Sequence, residues 1–289
     1  MEHKIDILSD SHWDFWIKIE DPEYSQIKKF KKLFDMIIPK DHSDTLLLSG
    51  DIGHGNLQNE LAFNLLKEHY KNICWIEGNH VLYMISENQM KKYNYNSFNR
   101  LNEMIEIASK IDGVHYLHGN IVNIDGLNIG GCGMWYDFSY GIKNHSCTIQ
   151  YLEEVWRYRS NDSRLIKVEN TVHRRIDNLE YFKEQYALMD KIYKDCDIVM
   201  SHIGPDYSMV PDHYKEPTTS FYYFDGERML SNMNHNQIYL YGHTHDNYDY
   251  ISKSGGTRLI CNPLGYPYDY NWITKKISQR IKTISIHKD

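Results

Sequence analysis

With 289 residues, 41% hydrophobic and 25% charged, the chain has the balance of a globular protein, long enough for one large domain or two small ones. A net charge of −7 weighs against a protein whose main work is gripping long duplex DNA, which calls for a basic surface, and suits one whose carboxylates hold cations. No apolar stretch of 18 residues occurs, so no membrane span is expected.

Five cysteines (Cys74, Cys132, Cys147, Cys196 and Cys261) form no CxxC pair and are odd in number, which reads as reduced thiols packed in or beside strands. The opening MEHKIDILSDSHW has no apolar h-region and no cleavage signal, so the expected location is the cytoplasm. Heavy use of Asn, Lys, Tyr and Ile points to an AT-rich genome, with a phage-encoded protein among the candidates.

Residues 4–9 (KIDILS) read as a strand, and 24–38 place Ile27, Phe30, Leu33, Phe34 and Ile37 at helical spacing. A buried strand at 45–49 (TLLLS), a helix at 57–70, a strand at 72–76 and a helix at 101–110 follow. The biased stretch 91–99 (KKYNYNSFN) reads as a loop. This alternation predicts an α/β fold with a mostly parallel sheet covered by helices. The middle changes character: short strands at 114–117, 121–124 and 127–131 are separated by turn residues, and a charged, Tyr-rich helical section runs over 148–194. Strands return at 197–201, 237–241, 248–252, 257–261 and 281–287. One domain over 1–289 with a helical insertion at about 135–195 is the simplest division.

The strand ends carry the chemistry. KIDILS is followed by Asp10-Ser11-His12, TLLLS by Gly50-Asp51, and NICWIE by Gly78-Asn79-His80. DIVMS is followed by His202, and QIYLY by Gly242-His243-Thr244-His245. In open α/β sheets ligands gather at the carboxyl ends of strands, so these loops are expected to converge. In an extended backbone His243 and His245 would point to one side. Carboxylate, amide and imidazole donors without a thiolate suit a pair of first-row divalent ions. Read singly, each station has an ordinary explanation: Asp51 as a helix N-cap, Asn79 in a left-handed turn, His202 as a core histidine. Five in order, each behind an apolar run, are harder to explain so.

The pattern DxH, GD, GNH, H, GHxH resembles that of the calcineurin-like metallophosphoesterases, over residues 10–245. The segments GCGMWYDF (131–138) and GHTHDNYDY…GGTRLICNPLGYP are similar to a bacterial and phage branch of that family. The resemblance implies a four-layer α/β/β/α sandwich and hydrolysis of a phosphoester through a metal-bridging hydroxide. It implies that Asp10, His12 and His245 bind one ion, that Asn79, His202 and His243 bind the second, and that Asp51 bridges both. His80 would contact the phosphate and protonate the leaving oxygen. Manganese is the favoured ion, with Fe, Zn, Ni and Mg as alternatives.

One position departs from the family. An acid usually follows the GNH histidine, and here it is Val81, so Asp14 or Asp246 would have to serve His80 from another loop. The favoured substrate is a small phosphodiester such as a nucleotide. A DNA or RNA nuclease, a phosphomonoesterase and a non-catalytic scaffold for a protein partner stand as alternatives. Arg157, Arg159, Arg174 and Arg175 read as solvated helix faces before phosphate grips. Trp13, Trp135, Tyr136 and Tyr266 are candidates for stacking on a base, with packing at least as strong a reading. His54, in a Gly-flanked loop after Asp51, is expected at the surface.

Overall fold

A computed structural model describes residues 2–169, 174–269 and 280–287. Its strands are β1 (Glu2–Leu8), β2 (Thr45–Leu48), β3 (Asn72–Trp75), β4 (Val114–Tyr116), β5 (Asn120–Ile124), β6 (Leu127–Gly131), β7 (Ile198–Met200), β8 (Ile238–Tyr241), β9 (Tyr248–Ile251), β10 (Arg258–Cys261) and β11 (Lys282–His287). They form two sheets, ordered β11-β1-β2-β3-β4 and β5-β6-β7-β8-β10-β9. In the first, β1 through β4 run parallel and β11 lies antiparallel to β1. In the second, β6, β7, β8 and β10 run parallel, with β5 and β9 antiparallel at the edges.

Both sheets are covered on both faces, which is why their central strands read as unbroken apolar runs. Along β2, Leu47 belongs to a core with Ile7, Cys74, Met200 and Leu240, drawn from the inner faces of the two sheets. Its neighbours Leu46 and Leu48 join Phe30, Phe34, Phe63 and Leu66 on the helical side. Strand β8 alternates in the same way, Ile238 and Leu240 inward, Tyr239 and Tyr241 outward. The result is helix, sheet, sheet, helix, as the family resemblance implies.

Helices Glu23–Ile37, Asn56–Leu66 and Ser97–Ser109 serve the first sheet. The first buries Phe30, Leu33, Phe34 and Ile37, the stripe that its spacing predicts. Two boundaries differ from expectation. The helix foreseen at 101–110 starts at Ser97 because the Asn96 side chain caps it, accepting from the Phe98 N–H at 3.0 Å. The biased stretch 91–99 therefore holds the end of one helix (Glu87–Lys92) and the start of the next. The helix foreseen at 57–70 stops at Leu66, and Tyr70 instead sends its hydroxyl to the buried Asp6 carboxylate of β1 at 2.9 Å.

Between β6 and β7 the described residues form helices Ser139–His145, Ile149–Arg159, Asn161–Leu165 and Asn178–Asp190. Residues 170–173 of the helical section read from sequence lie outside the described residues. The β7–β8 connection carries 3-10 turns Asp212–Tyr214 and Pro217–Phe221 and helix Glu227–Asn232, a second wall that sequence reading did not assign. No helix among the described residues is long and apolar enough to cross a membrane.

Candidate metal centre

The carboxyl ends of β1, β2, β3, β7 and β8 bring the five stations together. Tight turns do this at a conformational cost. Asp10 (φ 46°), His12 (42°), Asp51 (47°), His243 (69°) and His245 (56°) all occupy the left-handed region, which non-glycine residues rarely adopt. Such residues cost on the order of 1–3 kcal/mol each and persist where the surroundings over-determine them, a pattern found at functional sites. Two glycines make the approach possible. A Cβ on Gly50 would strike the His202 imidazole, and one on Gly78 would strike the Asp51 carboxylate.

The donors fall into overlapping groups. Asp10, His12 and His245 present atoms within 4.8 Å of one another, as do Asp51, His202 and His243, and His12, Asp51 and His80. His12 Nε2 and His245 Nε2 lie 3.0 Å apart, and His245 Nε2 is 3.7 Å from Asp10 Oδ1. Asp51 Oδ2 is 3.2 Å from His202 Nε2 and 3.8 Å from His12 Nε2, so it stands between the groups. Asn79 Oδ1 lies 3.0 Å from His202 Nε2. Cross-loop bonds fix the frame: Asp10 Oδ1 accepts the His243 N–H at 2.8 Å, and Asp51 Oδ1 accepts the His80 N–H at 2.9 Å. Outer nitrogens of two histidines are also held, His202 Nδ1 3.1 Å from the Ser49 carbonyl and His243 Nε2 3.1 Å from that of Phe221.

This set fits divalent cations on its own chemistry. Asp10 Oδ2 and His12 Nδ1 are buried and have no hydrogen-bond partner, an arrangement that leaves lone pairs or protons uncompensated in apolar surroundings. Burial, reinforced by His80, holds the His12 imidazole well below its ordinary range, and burial with His202 drives His243 down to about 3. Both are thus neutral, the form in which imidazole binds a metal. Burial also disfavours charge on His202 and on Asp51, but their mutual attraction wins, raising His202 to about 9 and holding Asp51 well below the usual carboxylate range. A cation would take over the role of that proton.

His80 borders the groups with its side chain 17% exposed. Its ring packs against those of His12 and Tyr83, each at 4.6 Å between centroids. Its Nε2 lies 3.5 Å from the Tyr266 hydroxyl and 4.0 Å from Asp51 Oδ2. Val81 points into the core at 2% exposure. Of the two acids considered as its substitute, Asp14 lies on the short helix Trp13–Trp16, where it accepts the His54 N–H at 2.9 Å, and its carboxyl is raised by burial. Neither Asp14 nor Asp246 forms an ion pair with His80 among the described residues. His54 is not at the surface: it is 5% exposed, and burial followed by the Arg100 charge lowers it to about 3.

A cleft of about 650 Å³ opens over these groups. Tyr266 lines it and stacks on His12 at 4.5 Å. Arg159 is the one Arg or Lys among its described lining residues. The other arginines lie elsewhere: Arg157 is exposed, Arg174 pairs with Glu169, and Arg175 donates to the Ser163 carbonyl. Trp13, Trp135 and Tyr136 are buried packing residues. Sequence reading missed Arg100, which holds the His80 turn by its carbonyls; Tyr83 and Asp162, which bond the Asn79 amide and line the cleft; and the Tyr214–Tyr223 wall from the β7–β8 connection.

The chain matches the calcineurin-like phosphoesterase family over residues 3–247. No curated protein matches it. Among solved structures, phosphopantetheinyl hydrolase from Mycobacterium tuberculosis aligns with a TM-score of 0.68 at 14% identity, covering 98% of this chain and 96% of that one. A dimetal phosphatase from Danio rerio aligns with a TM-score of 0.50 at 15% identity, over 99% and 93% of the two chains. At such identities the likeness is one of fold, and the family rests on the match along the chain itself. Two sheets between helices, donor groups at five strand ends and a family match over most of the length lead to one assignment: the chain belongs to the calcineurin-like phosphoesterases, metal-dependent enzymes that hydrolyse phosphoesters.

Proposed function

We propose that the chain is a dimetal phosphodiesterase acting on a small nucleotide-like phosphoester. The observation that carries this reading is the junction at Asp51, whose carboxylate adjoins both donor groups. In this reading Asp10, His12 and His245 hold one ion, Asn79, His202 and His243 hold the other, and Asp51 serves both. Manganese suits the N/O donor set, and the absence of thiolate is consistent with it. Two such ions supply Lewis acidity at the phosphoryl oxygens and water ionised near neutral pH. The rest falls to the protein. Asp51 holds the His80 backbone, and His80 presents Nε2 at the cleft, where a proton can pass to the leaving oxygen.

The cleft volume is in the range of small-molecule sites. Tyr266 and Tyr268 stack at 5.0 Å on its rim and offer a face to a base or other flat group, while Arg159 offers charge to a second anionic group. Glu216, Asp246 and Asp269 also line it, which disfavours a long polyanion and hence the nuclease reading. We treat 1–289 as one domain, with about 135–195 as its insertion, and place it in the cytoplasm on the strength of its unpaired cysteines, four of them buried.

The test is hydrolysis of bis-p-nitrophenyl phosphate beside p-nitrophenyl phosphate with added Mn²⁺, in wild type and Asp51→Asn. Diester cleavage that falls by at least about 10²-fold in the variant is expected, given what metal-assisted catalysis supplies. Cleavage of the monoester alone would overturn the diesterase reading. Inertness towards both, with metal shown bound, would favour the scaffold alternative.

A further inference from the structure

We propose that Asp162 is a positioning residue for the metal centre: its buried carboxylate fixes the amide of Asn79 so that the amide oxygen, and not the nitrogen, faces His202. The inference rests on the reading of Asn79 as a metal donor. Asp162 lies 83 residues further along, on helix Asn161–Leu165 between β6 and β7, and is 4% exposed.

The hydrogen bonds determine the orientation by elimination. The Asn79 amide nitrogen faces the Tyr83 hydroxyl at 2.8 Å and Asp162 Oδ1 at 2.9 Å, and because these two oxygens lie only 2.7 Å apart they share one N–H in a three-centre bond. The Tyr83 hydrogen goes to the same Asp162 oxygen at 2.7 Å, so the Tyr83 oxygen is free to accept. Asp162 Oδ2 receives the Tyr136 hydroxyl at 2.9 Å, and Tyr136 in turn accepts from the Trp156 indole N–H. Around Asn79, then, Asp162 can only accept while it is ionised. A flipped amide would set its oxygen against a carboxylate oxygen and leave two donors facing His202. In the observed orientation Oδ1 lies 3.0 Å from His202 Nε2, in the group that includes Asp51.

A carboxylate in this place is costly to bury, and no Lys or Arg among the described residues pairs with it. Hydroxyl and amide donors hold it instead. A neutral side chain would fill the same space without that penalty, but it would not impose one orientation on Asn79. The junction between this helix and the preceding one, Arg159, Ser160 and Asn161, lines the cleft, so the segment that orients a metal donor also shapes the substrate wall.

The experiment is a Mn²⁺ titration of the full chain, read by the electron paramagnetic resonance of free Mn²⁺. It compares wild type, Asn79→Ala, Asp162→Asn, Asp162→Glu, Tyr83→Phe and the N79D/D162N double variant, with a thermal melt of each. Asp162→Asn should weaken the second ion by about 10–100-fold and leave the first unchanged, the usual effect of removing the group behind a metal ligand. The double variant should restore the second ion, because an amide at 162 then donates to a carboxylate at 79, which a purely structural role for Asp162 would not produce. Wild-type affinity in Asp162→Asn, or no recovery in the double variant, would overturn the proposal. If Asp162→Asn does not fold, Asp162→Glu decides: it keeps the charge but moves the carboxylate from where it meets the Asn79 N–H, and unchanged affinity for the second ion there counts against the proposal, with Tyr83→Phe, which leaves the Asp162 bond in place, as the control expected to keep that ion. Full two-ion binding in Asn79→Ala would instead sink the reading of Asn79 as a donor.

Discussion

Arg100 shows how a residue can shape the centre without meeting it. Its guanidinium is 1% exposed and donates through Nη1 to the carbonyls of His80, Val81 and Tyr83, the turn that carries His80. Burial lowers it to about 10, so it stays charged near neutral pH. Replacing it with Leu leaves the Val81 and Tyr83 carbonyls without this donor, while that of His80 keeps the Tyr83 N–H at 3.1 Å. We expect Arg100→Leu to lose about 3 kcal/mol in urea unfolding, since each buried acceptor left unpaired costs on the order of 1–3 kcal/mol before relaxation. A change below about 1 kcal/mol would show that water replaces the guanidinium. Asp10, Asp51, His202 and the GHxH pair were readable because each directly follows an apolar run. Arg100, Tyr83 and Asp162 were not, because their partners lie far along the chain and no local pattern marks them.

At the scale of elements, periodicity predicted what periodicity controls. The strands carry apolar residues on both faces, and helix Glu23–Ile37 buries its expected stripe. Errors gathered where a cap or a tertiary bond takes over: Asn96 starts one helix early, and Tyr70 leaves another to reach Asp6. The β7–β8 connection escaped notice for a related reason. Its 3-10 turns are three and five residues long, too short to show a period, yet they bring Tyr214, Phe221 and Tyr222 to the cleft. The Val81 departure is also answered at this scale. The turn His80–Leu82 sends residue 81 into the core, where a carboxylate would be buried, and the acid that adjoins His80 is Asp51, whose Oδ2 lies 4.0 Å from its Nε2.

Across the whole molecule, the two sheets are tied at one edge by charge. Asp249 on β9 accepts a two-pronged pair of bonds from Arg258 on β10, both at 2.8 Å, and a further bond from Lys282 on β11 of the other sheet. The Arg258 hydrogen bonds, aided by Lys282, lower the Asp249 carboxyl to about 2. A depressed carboxyl contributes stability that is present above its unfolded value and lost as pH falls through the folded one, here between about 4 and 2. With the Asp249 side chain 30% exposed, screening reduces this to about 1 kcal/mol. Asp249→Asn should therefore be about 1 kcal/mol less stable than wild type at pH 7, with the gap closing between pH 4 and pH 2. A gap independent of pH would refute the assignment.

The central claim is that strand ends from both sheets build one centre for two ions. Anomalous diffraction from crystals soaked in Mn²⁺ tests it most directly. The account predicts two peaks, one among Asp10, His12 and His245, the other among Asn79, His202 and His243, with Asp51 reaching both. A single peak, or none within reach of Asp51, would contradict it.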